Sequence, residues 1–345
     1  MTITRDYWPT TGWRTAPPDQ HGIDGEQLAA TNDTLNTHYP HLDSFLVVRS
    51  GYLVAEYYRD SSGPDVLHNV KSVTKNVTSA LTGIALQTGD LANLDETLGF
   101  LLPEAMSTVE DRHKRDITVR DLLTMRSGLH WEEWRGSTQQ MTASPNWVRF
   151  VLEQPLAAAP GTAHNYSTGN TQILAALLQK STSMNLLDYA DLYLFGPLGI
   201  EHRTWPADPQ GIQVGGAELA LTARDMAKFG LLYLDGGLWD GAQLLPTTWV
   251  QDSHTPHANV ISEDGEDCVK LDYGYQWWLR RQGPHASALA VGFGGQYVYV
   301  VPALDLVVVI TGRLANVPES FRDNRMLCLF NVVQDHVVPA ITTPS

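Results

Sequence analysis

The stretch at residues 72–88 reads Ser-Val-Thr-Lys-Asn-Val-Thr-Ser-Ala-Leu-Thr-Gly-Ile-Ala-Leu-Gln-Thr. Its apolar residues recur at helical spacing, and almost no polar face is left to meet water. A helix of that composition is stable when neighbouring elements cover it on most sides. We therefore predict a buried helix over residues 72–88, with its first turn at a junction between two parts of the molecule.

The first turn of this helix contains the spacing S-x-x-K, as Ser72 and Lys75. At positions i and i+3 the hydroxyl and the amine lie on one face of a helix, within hydrogen-bond reach. The positive potential of a helix N-terminus favours an alkoxide on Ser72 and lowers the pKa of Lys75, so a desolvated amine there can accept the serine proton. The alternative is a surface lysine one turn into a helix, which fits the apolar composition of this stretch poorly.

Strand patterns stand at both ends of the chain, and helical patterns lie between them. Two β-branched and aromatic runs joined at Ser50-Gly51 predict a hairpin, and Thr118 and Thr222, each followed three residues later by Asp, predict capping boxes. We predict helices at 24–38, 72–88, 119–125, 169–180, 226–234 and about 318–337, and strands at 44–49, 52–58, 273–279, 287–291, 296–301 and 306–311.

Strands at both ends with helices between them indicate an α+β fold. We predict an αβα sandwich whose mainly antiparallel sheet is built from both chain ends, with an inserted helical domain. Residues 1–71 and 268–345 form the discontinuous sheet domain in this prediction. Residues 72–267 form the helical domain, and the active site lies at the junction of the two. A chain of 345 residues has room for two such lobes.

The composition excludes several classes of function. The chain has 23 Lys and Arg against 38 Asp and Glu, and its net charge of −15 repels the phosphates of nucleic acids. Pro302 and Asp305 interrupt the most apolar run, so no membrane partner is expected, and the first residues lack the apolar core of a signal peptide. Cys268 and Cys328 are too few for a disulfide framework, and the 12 His show no ligand spacing. We expect a cytoplasmic protein without metal or other cofactor, and the oligomeric state is left open.

Two further segments carry residues that could take part in chemistry. Tyr166 lies in the polar turn 160–170, directly before a predicted helix, where its hydroxyl could face the junction. The alternative is a packed tyrosine that is hydrogen-bonded to the backbone. Residues 291–296, Val-Gly-Phe-Gly-Gly-Gln, interrupt a strand pattern with three glycines, which lets a ligand or another backbone approach closely. The alternative there is a simple β-bulge.

The order of these three motifs along the chain resembles the serine β-lactamase-like and penicillin-binding-protein superfamily. The similarity extends to residues 117–129, Ile-Thr-Val-Arg-Asp-Leu-Leu-Thr-Met-Arg-Ser-Gly-Leu, and to residues 222–230, Thr-Ala-Arg-Asp-Met-Ala-Lys-Phe-Gly. The class C-type members are the most similar, in particular the carboxylesterases and the 6-aminohexanoate-dimer hydrolases.

This resemblance implies a role for each motif residue. Ser72 would be the acylated nucleophile and Lys75 its proton acceptor, while Tyr166 would share the proton transfer. The backbone N–H groups of Ser72 and Gln296 would form the oxyanion hole, a pair of fixed, uncharged donors.

Two departures from the superfamily pattern bear on the substrate. Thr168 replaces the Asn of the Y-x-N motif, and Phe293, Gly294 and Gly295 stand where Lys-Thr-Gly or His-Thr-Gly is usual. A cation there would attract the carboxylate of a β-lactam, whereas an aromatic ring cannot, so a neutral acyl substrate is favoured. We expect these four residues to bind substrate, with Trp131 as an aromatic wall, although plain packing explains a tryptophan equally well.

The leading prediction is a serine hydrolase that cleaves carboxylic esters through a Ser72 acyl-enzyme, with a small-molecule ester or amide as its partner. The first alternative is an amidase acting on linear amides of the 6-aminohexanoate-dimer type, and a weak β-lactamase comes third. A non-enzymatic scaffold is disfavoured because Ser72, Lys75 and Tyr166 are all present.

Overall fold

The computed structural model describes residues 5–59, 62–260, 271–313 and 332–342. Its strands are β1 Leu42–Arg49, β2 Tyr52–Tyr58, β3 Leu67–Asn69, β4 Ala220–Thr222, β5 Leu238–Trp239, β6 Ala242–Gln243, β7 Ala258–Val260, β8 Leu271–Tyr273, β9 Trp278–Arg280, β10 Ser287–Gly292, β11 Gln296–Val301 and β12 Leu306–Gly312. Eight of them form one antiparallel sheet in the order β2-β1-β12-β11-β10-β9-β8-β7. The pairs β3–β4 and β5–β6 are separate two-stranded sheets.

The described residues form twelve α-helices, and most of these lie in the middle of the chain. They are α1 Gly25–His38, α2 Val73–Thr88, α3 Leu98–Leu101, α4 Pro103–Met106, α5 Val119–Leu123, α6 Ser137–Ala143, α7 Trp147–Glu153, α8 Thr168–Thr182, α9 Leu186–Ala190, α10 Gly196–Leu198, α11 Ala223–Leu234 and α12 Thr247–Ser253. The capping box predicted at Thr118 is present before α5, where the side chains and backbone N–H groups of Thr118 and Asp121 bond reciprocally. At α11, Thr222 accepts a hydrogen bond from the Asp225 backbone N–H.

Strands from the two ends of the chain, β1 and β12, pair one strand in from the β2 edge of the sheet. β1 pairs with β2 on one side and with β12 on the other, so that Leu46 lies opposite Glu56 and Val309. β-Branched residues dominate β12 and include Val47 and Val48 of β1, and such side chains pack well on a pleated surface that is covered on both sides. The predicted α+β fold, with an antiparallel sheet assembled from both ends and helices between them, is confirmed.

The sheet separates two apolar cores, as the two-residue period of a strand requires. Leu46 and Val48 of β1 face a core shared with α2, α8 and α11. Phe45 and Val47 face a second core, which α1 and residues 332–341 cover. The larger first core lies between the sheet and the helical part of the molecule, and α2 runs through it.

The single strand predicted over 273–279 is wrong, because β8 ends and β9 begins inside this range. A turn connects them, in which the Gly274 N–H donates to the Trp277 carbonyl over 2.8 Å and Gln276 takes a φ of 66°. The buried amide of Gln276 donates to the carbonyl of Leu123 over 3.0 Å and ties this turn to α5. Those tertiary hydrogen bonds outweigh the strand preference of the aromatic residues.

The predicted helix at 318–337 falls mostly outside the described residues. The edge strand β7 belongs to the large sheet, although the predicted sheet segment began only at residue 268. The division into 1–71 with 268–345 and 72–267 otherwise remains a prediction. Within the described ranges, no helix has both the length and the apolar character needed to cross a membrane.

Candidate active site

Ser72 lies immediately before α2, at the end of the loop that leads from β3 into the helix. The preceding residue, Lys71, has a φ of 49°, in the left-handed region that residues other than glycine rarely occupy. Asn69 Oδ1 accepts from the Lys71 backbone N–H over 3.0 Å, and Lys71 Nζ pairs with Glu218 at 2.6 Å. In the described structure the Ser72 side chain makes no capping hydrogen bond to α2, so its hydroxyl is available to other groups.

The predicted helix α2 is buried over most of its length, as every residue from 73 to 85 is covered. Its internal polar groups bond to two neighbouring segments. Asn76 Nδ2 donates to the carbonyl of Gln276 over 2.8 Å, and Thr78 Oγ1 donates to the carbonyl of Gly215 over 2.7 Å. These bonds hold the first two turns of α2, and therefore Ser72 and Lys75, between the turn at 274–277 and the segment at 215–216.

The amine of Lys75 is 1 % exposed and lies at the centre of this arrangement. Lys75 Nζ donates to Ser72 Oγ over 3.0 Å, to Thr168 Oγ1 over 2.9 Å and to the carbonyl oxygen of Gly216 over 2.8 Å. Burial lowers the pKa of Lys75 to about 8, against the opposing effect of the negative charge on Glu133. An amine with that pKa loses its proton readily near neutral pH, as a general base must.

Tyr166 reaches the same point from the turn before α8. Its ring centre lies 5.0 Å from Lys75 Nζ. Burial raises the pKa of Tyr166 above its usual value, the charge of Glu133 adds to that rise, and the nearby Ser72 hydroxyl opposes it. The phenol is therefore neutral at ordinary pH and can pass a proton. The structure thus brings together Ser72, Lys75 and Tyr166, the three residues predicted to be catalytic.

Glu133, which the sequence did not single out, is the acidic residue of the site. Its carboxylate accepts from the Thr168 backbone N–H over 2.8 Å and also from Thr168 Oγ1. A third donor, Trp131 Nε1, lies 2.6 Å from Oε2. The signal in the sequence was weak, because Glu133 is one of two adjacent acidic residues in the run Trp131-Glu132-Glu133-Trp134 and nothing in their spacing distinguishes them.

Two of the residues expected to bind substrate, Trp131 and Thr168, are buried and contact other residues of the site. Trp131 is only 4 % exposed, and its indole supports Glu133 and packs against Gly169, where an added Cβ would lie 2.8 Å from the ring. Thr168 is buried at the start of α8 and bonds to both Lys75 and Glu133. Substrate binding by these two residues remains a prediction.

Residues 293–295 form the turn between β10 and β11, so the glycines end a strand rather than break one. Gly294 and Gly295 have φ values of 82° and 93°, and a Cβ on Gly295 would lie 2.5 Å from Leu42 Cδ2. Phe293 packs against the second core. Gly292, just before this turn, lies against the loop between β3 and α2 that carries Ser72. A Cβ at Gly292 would lie 2.3 Å from the carbonyl oxygen of Val70 in that loop. Substrate binding by residues 293–295 remains a prediction.

Gln296 is completely buried and belongs to the sheet. It is the ladder partner of Gly292, and its side-chain amide donates to the Gly312 carbonyl over 2.7 Å. Its ladder partner Gly292 lies against Val70, in the loop that carries Ser72. The role of its backbone N–H in an oxyanion hole remains a prediction.

Aromatic residues surround the tyrosine of the site. The ring centre of Tyr166 lies 6.1 Å from that of Tyr273 and 5.4 Å from that of Trp278, and His164 packs edge-on against Tyr273 at 5.2 Å. Tyr273 is fully buried, and its charged form is disfavoured, so its pKa lies well above the usual value. In the described ranges no group of three or more His, Cys, Asp or Glu side chains could hold a metal ion.

Known proteins share both the sequence pattern and the fold. A family model described as Beta-lactamase matches residues 43–327. The 6-aminohexanoate-dimer hydrolase of Paenarthrobacter ureafaciens is 24% identical over 304 residues, which are 80% of this chain and 76% of that protein.

Two solved structures are similar in fold. A Bacillus anthracis protein provisionally named 6-aminohexanoate-dimer hydrolase has a TM-score of 0.75 at 20% identity, covering 99% of this chain and 90% of its own. EstCE1, a hydrolase with promiscuous acyltransferase activity, has a TM-score of 0.68 at 14% identity, covering 86% of this chain and 97% of its own. Because the family model matches well over half of the sequence, this chain belongs to the beta-lactamase family, within the serine β-lactamase-like and penicillin-binding-protein superfamily.

Proposed function

We propose that this protein is a serine hydrolase that cleaves carboxylic esters through an acyl-enzyme on Ser72. One observation carries the proposal: a fully buried lysine amine, with its pKa lowered to about 8, lies 3.0 Å from a serine hydroxyl that makes no capping bond to its own helix in the described structure. Packing alone does not require a buried amine at that place, because burying an unneeded ammonium destabilises the fold.

The reaction begins when Ser72 Oγ attacks the ester carbonyl carbon and its proton passes to Lys75 Nζ. The carbonyl oxygen becomes an oxyanion, for which the backbone N–H groups of Ser72 and Gln296 are the proposed donors. As the C–O bond to the alcohol breaks, the proton held on Lys75 returns to the leaving oxygen, with Tyr166 as the relay. Water then attacks the acyl carbon and loses a proton to Lys75. The bond from the acyl carbon to Ser72 Oγ breaks, the proton passes from Lys75 to Ser72 Oγ, and the carboxylic acid leaves.

Thr168 favours a simple acyl group over a β-lactam. The Thr168 hydroxyl is hydrogen-bonded to Lys75 and Glu133. A threonine side chain also lacks the amide group that would bind the side-chain carbonyl of a β-lactam. Weak β-lactamase activity is the third candidate for that reason.

The second candidate is hydrolysis of linear amides of the 6-aminohexanoate-dimer type. The similarity to the Paenarthrobacter ureafaciens enzyme over 80% of this chain favours it. An amide needs full protonation of a poorer leaving group than an alcohol, so esters remain the first expectation. The cytoplasmic location and the absence of nucleic-acid and membrane partners stay predictions of the sequence.

The test is hydrolysis of a short-chain p-nitrophenyl ester by the wild type, by Ser72→Ala and by the control Ser79→Ala. Ser79 lies on the same helix, and its hydroxyl donates to the Tyr275 carbonyl over 2.9 Å, away from Lys75. We expect turnover in the wild type and in the control and none in Ser72→Ala. Equal turnover in Ser72→Ala would overturn the assignment, and hydrolysis of the 6-aminohexanoate dimer without ester turnover would establish the second candidate instead.

A further inference from the structure

We propose that Glu133 is a positioning residue for the base: acting through the hydroxyl of Thr168, it directs the N–H groups of Lys75 so that the lone pair of the neutral amine faces Ser72. This inference rests on the proposed function, since it assigns a task within the same site. The carboxylate, the hydroxyl, the amine and the nucleophile form one continuous chain of hydrogen bonds from Glu133 to Ser72.

The first step concerns the single proton of the Thr168 hydroxyl. An ionised carboxylate can only accept, so the Thr168 proton must point to Glu133 Oε1. Towards Lys75, Thr168 Oγ1 then offers only lone pairs. Glu133 thereby turns a group that could either donate or accept into an obligatory acceptor.

The second step concerns the amine. A neutral lysine amine has two N–H groups and one lone pair. One N–H is required by Thr168 Oγ1 at 2.9 Å and the other by the carbonyl oxygen of Gly216 at 2.8 Å, which is also purely an acceptor. The lone pair is left for the third neighbour, Ser72 Oγ at 3.0 Å. In that arrangement Lys75 is oriented to take the serine proton, and once protonated it can donate to all three neighbours.

The Glu133 carboxylate is held in place by donors from within the protein. Thr168 N–H and Trp131 Nε1–H hold Oε2, and the Thr168 hydroxyl holds Oε1, so three of about four acceptor positions are filled from within the protein. A carboxylate so occupied has little left for the ammonium group of a substrate. Fixed by three donors, it serves instead as an anchor for the start of α8.

The charge of Glu133 has a second consequence that can be measured. The titratable and polar groups around the Lys75 amine come from four segments. They are Ser72 just before α2, Tyr166 and Thr168 at the entry to α8, Glu133 in the loop before α6 and the Gly216 carbonyl, and the Lys71–Glu218 ion pair joins the segments next to Ser72 and Gly216. Of these, Glu133 raises the pKa of Lys75 against the effect of burial. Removing its charge lowers that pKa further, so Lys75 stays neutral to a lower pH.

The test compares Glu133→Gln with the matched control Glu132→Gln, whose side chain is exposed. We expect Glu133→Gln to lower kcat roughly 10- to 100-fold with little change in KM, since misplacing a catalytic group by about 1 Å can lower the rate about a hundredfold. We also expect the acidic limb of its kcat/KM–pH profile to move to lower pH. A purely structural role would not move this limb, and an unchanged limb with wild-type kcat would overturn the proposal.

Thr168 supplies a second pair of variants in case Glu133→Gln folds poorly. Thr168→Ser keeps the relaying hydroxyl, and Thr168→Val removes it at nearly constant volume. We expect Thr168→Ser to retain most of the activity and Thr168→Val to lose about as much activity as Glu133→Gln. The double variant Glu133→Gln/Thr168→Val should be no less active than either single variant, as for residues that act as a unit. Losses that multiply in the double variant would contradict a shared chain.

A readout that needs no substrate separates this inference from the proposed function. The rate at which a fluorophosphonate labels Ser72, followed by intact mass across the pH range, reports activation of the hydroxyl directly. Slow labelling of Glu133→Gln together with absent ester turnover in the wild type would support the positioning role and defeat the esterase proposal. Ester turnover in the wild type with equal labelling rates in wild type and Glu133→Gln would defeat the positioning role alone.

Discussion

The Nζ atom of Lys75 donates to the carbonyl oxygen of Gly216 over 2.8 Å, across 141 positions of the sequence. Gly216 allows this close approach, because an added Cβ would lie 3.2 Å from Nζ and 2.9 Å from the Thr168 methyl group. The Lys75 amine is thus bound by the Gly216 carbonyl oxygen, which can only accept, and by the Thr168 hydroxyl. Both groups come from segments that are distant from Lys75 in the sequence. Tertiary packing therefore assembles the surroundings of the Lys75 amine, whereas the spacing of Ser72 and Lys75 follows from the helix itself.

Lys75→Ala should abolish hydrolysis as completely as Ser72→Ala, by at least roughly a thousandfold, because nucleophile and base act as one unit. Lys75→Arg should be equally inactive, since a guanidinium stays charged and cannot accept the proton. The measurement is kcat/KM with circular dichroism of each variant to show that it is folded. Substantial activity in a folded Lys75→Ala would remove this residue from the mechanism.

The pH dependence of the wild type should reflect Lys75. Its amine must be neutral to act as the base, and burial places its pKa at about 8. We therefore expect kcat/KM for a neutral ester to rise with pH and to level off above about pH 8. A profile whose acidic limb lies at the unperturbed value of a carboxylic acid, near 4, would assign the proton transfer to another group.

Gly292→Ala should lower activity by at least about tenfold and also stability, by about 1–3 kcal/mol, which is the usual effect of overpacking. The new methyl group would lie 2.3 Å from the Val70 carbonyl and would push the β10–β11 hairpin away from the loop that carries Ser72. The measurements are ester turnover and urea unfolding. Gly63→Ala is the matched control, because nothing lies within 4 Å of its Cβ position; an effect of the same size there would show that loss of glycine, not the contact, is responsible.

His254 should make the fold sensitive to acid. Burial lowers its pKa to about 4, and its ring packs between Tyr233 and Trp277. Between pH 6.5 and 4 the unfolded chain therefore binds a proton that the native state does not, and the free energy of unfolding falls as the pH falls, by up to about 3 kcal/mol.

We expect His254→Leu to flatten this dependence while the wild type keeps it, as measured by urea unfolding near pH 7 and near pH 4.5. His164, whose pKa burial also lowers to about 4, contributes in the same direction and remains in both proteins. Parallel curves for wild type and variant across this range would mean that His254 does not titrate between the two states.

Local geometry explains what could be predicted from the sequence. Ser72 and Lys75 are three residues apart on one helix, so their approach follows from helical geometry alone. The runs of apolar and β-branched residues in β1 and β12 likewise depend only on neighbours along the chain, and they predicted these two strands. The Thr118 capping box is another such case, in which side chain and backbone lie within one turn.

The spacing of residues along the chain could not predict the contacts between distant segments. The turn inside 273–279 forms because Gln276 finds buried carbonyl partners on α5, and no periodicity in its own stretch encodes those partners. Glu133 differs from Glu132 only in what the folded chain brings to it, namely the indole of Trp131 and the start of α8.

The sequence by itself determined the strands β1, β2, β10, β11 and β12, the buried helix and the serine–lysine pair, since each depends on the spacing of residues along a single element. Only the tertiary structure decided the surroundings of that pair: the acceptors on Thr168 and Gly216, the carboxylate of Glu133 and the close approach of Gly292 to Val70. The physical reason is that hydrogen-bond direction and desolvation depend on which atoms from distant segments fill the space around a group, and that is set when the two cores pack.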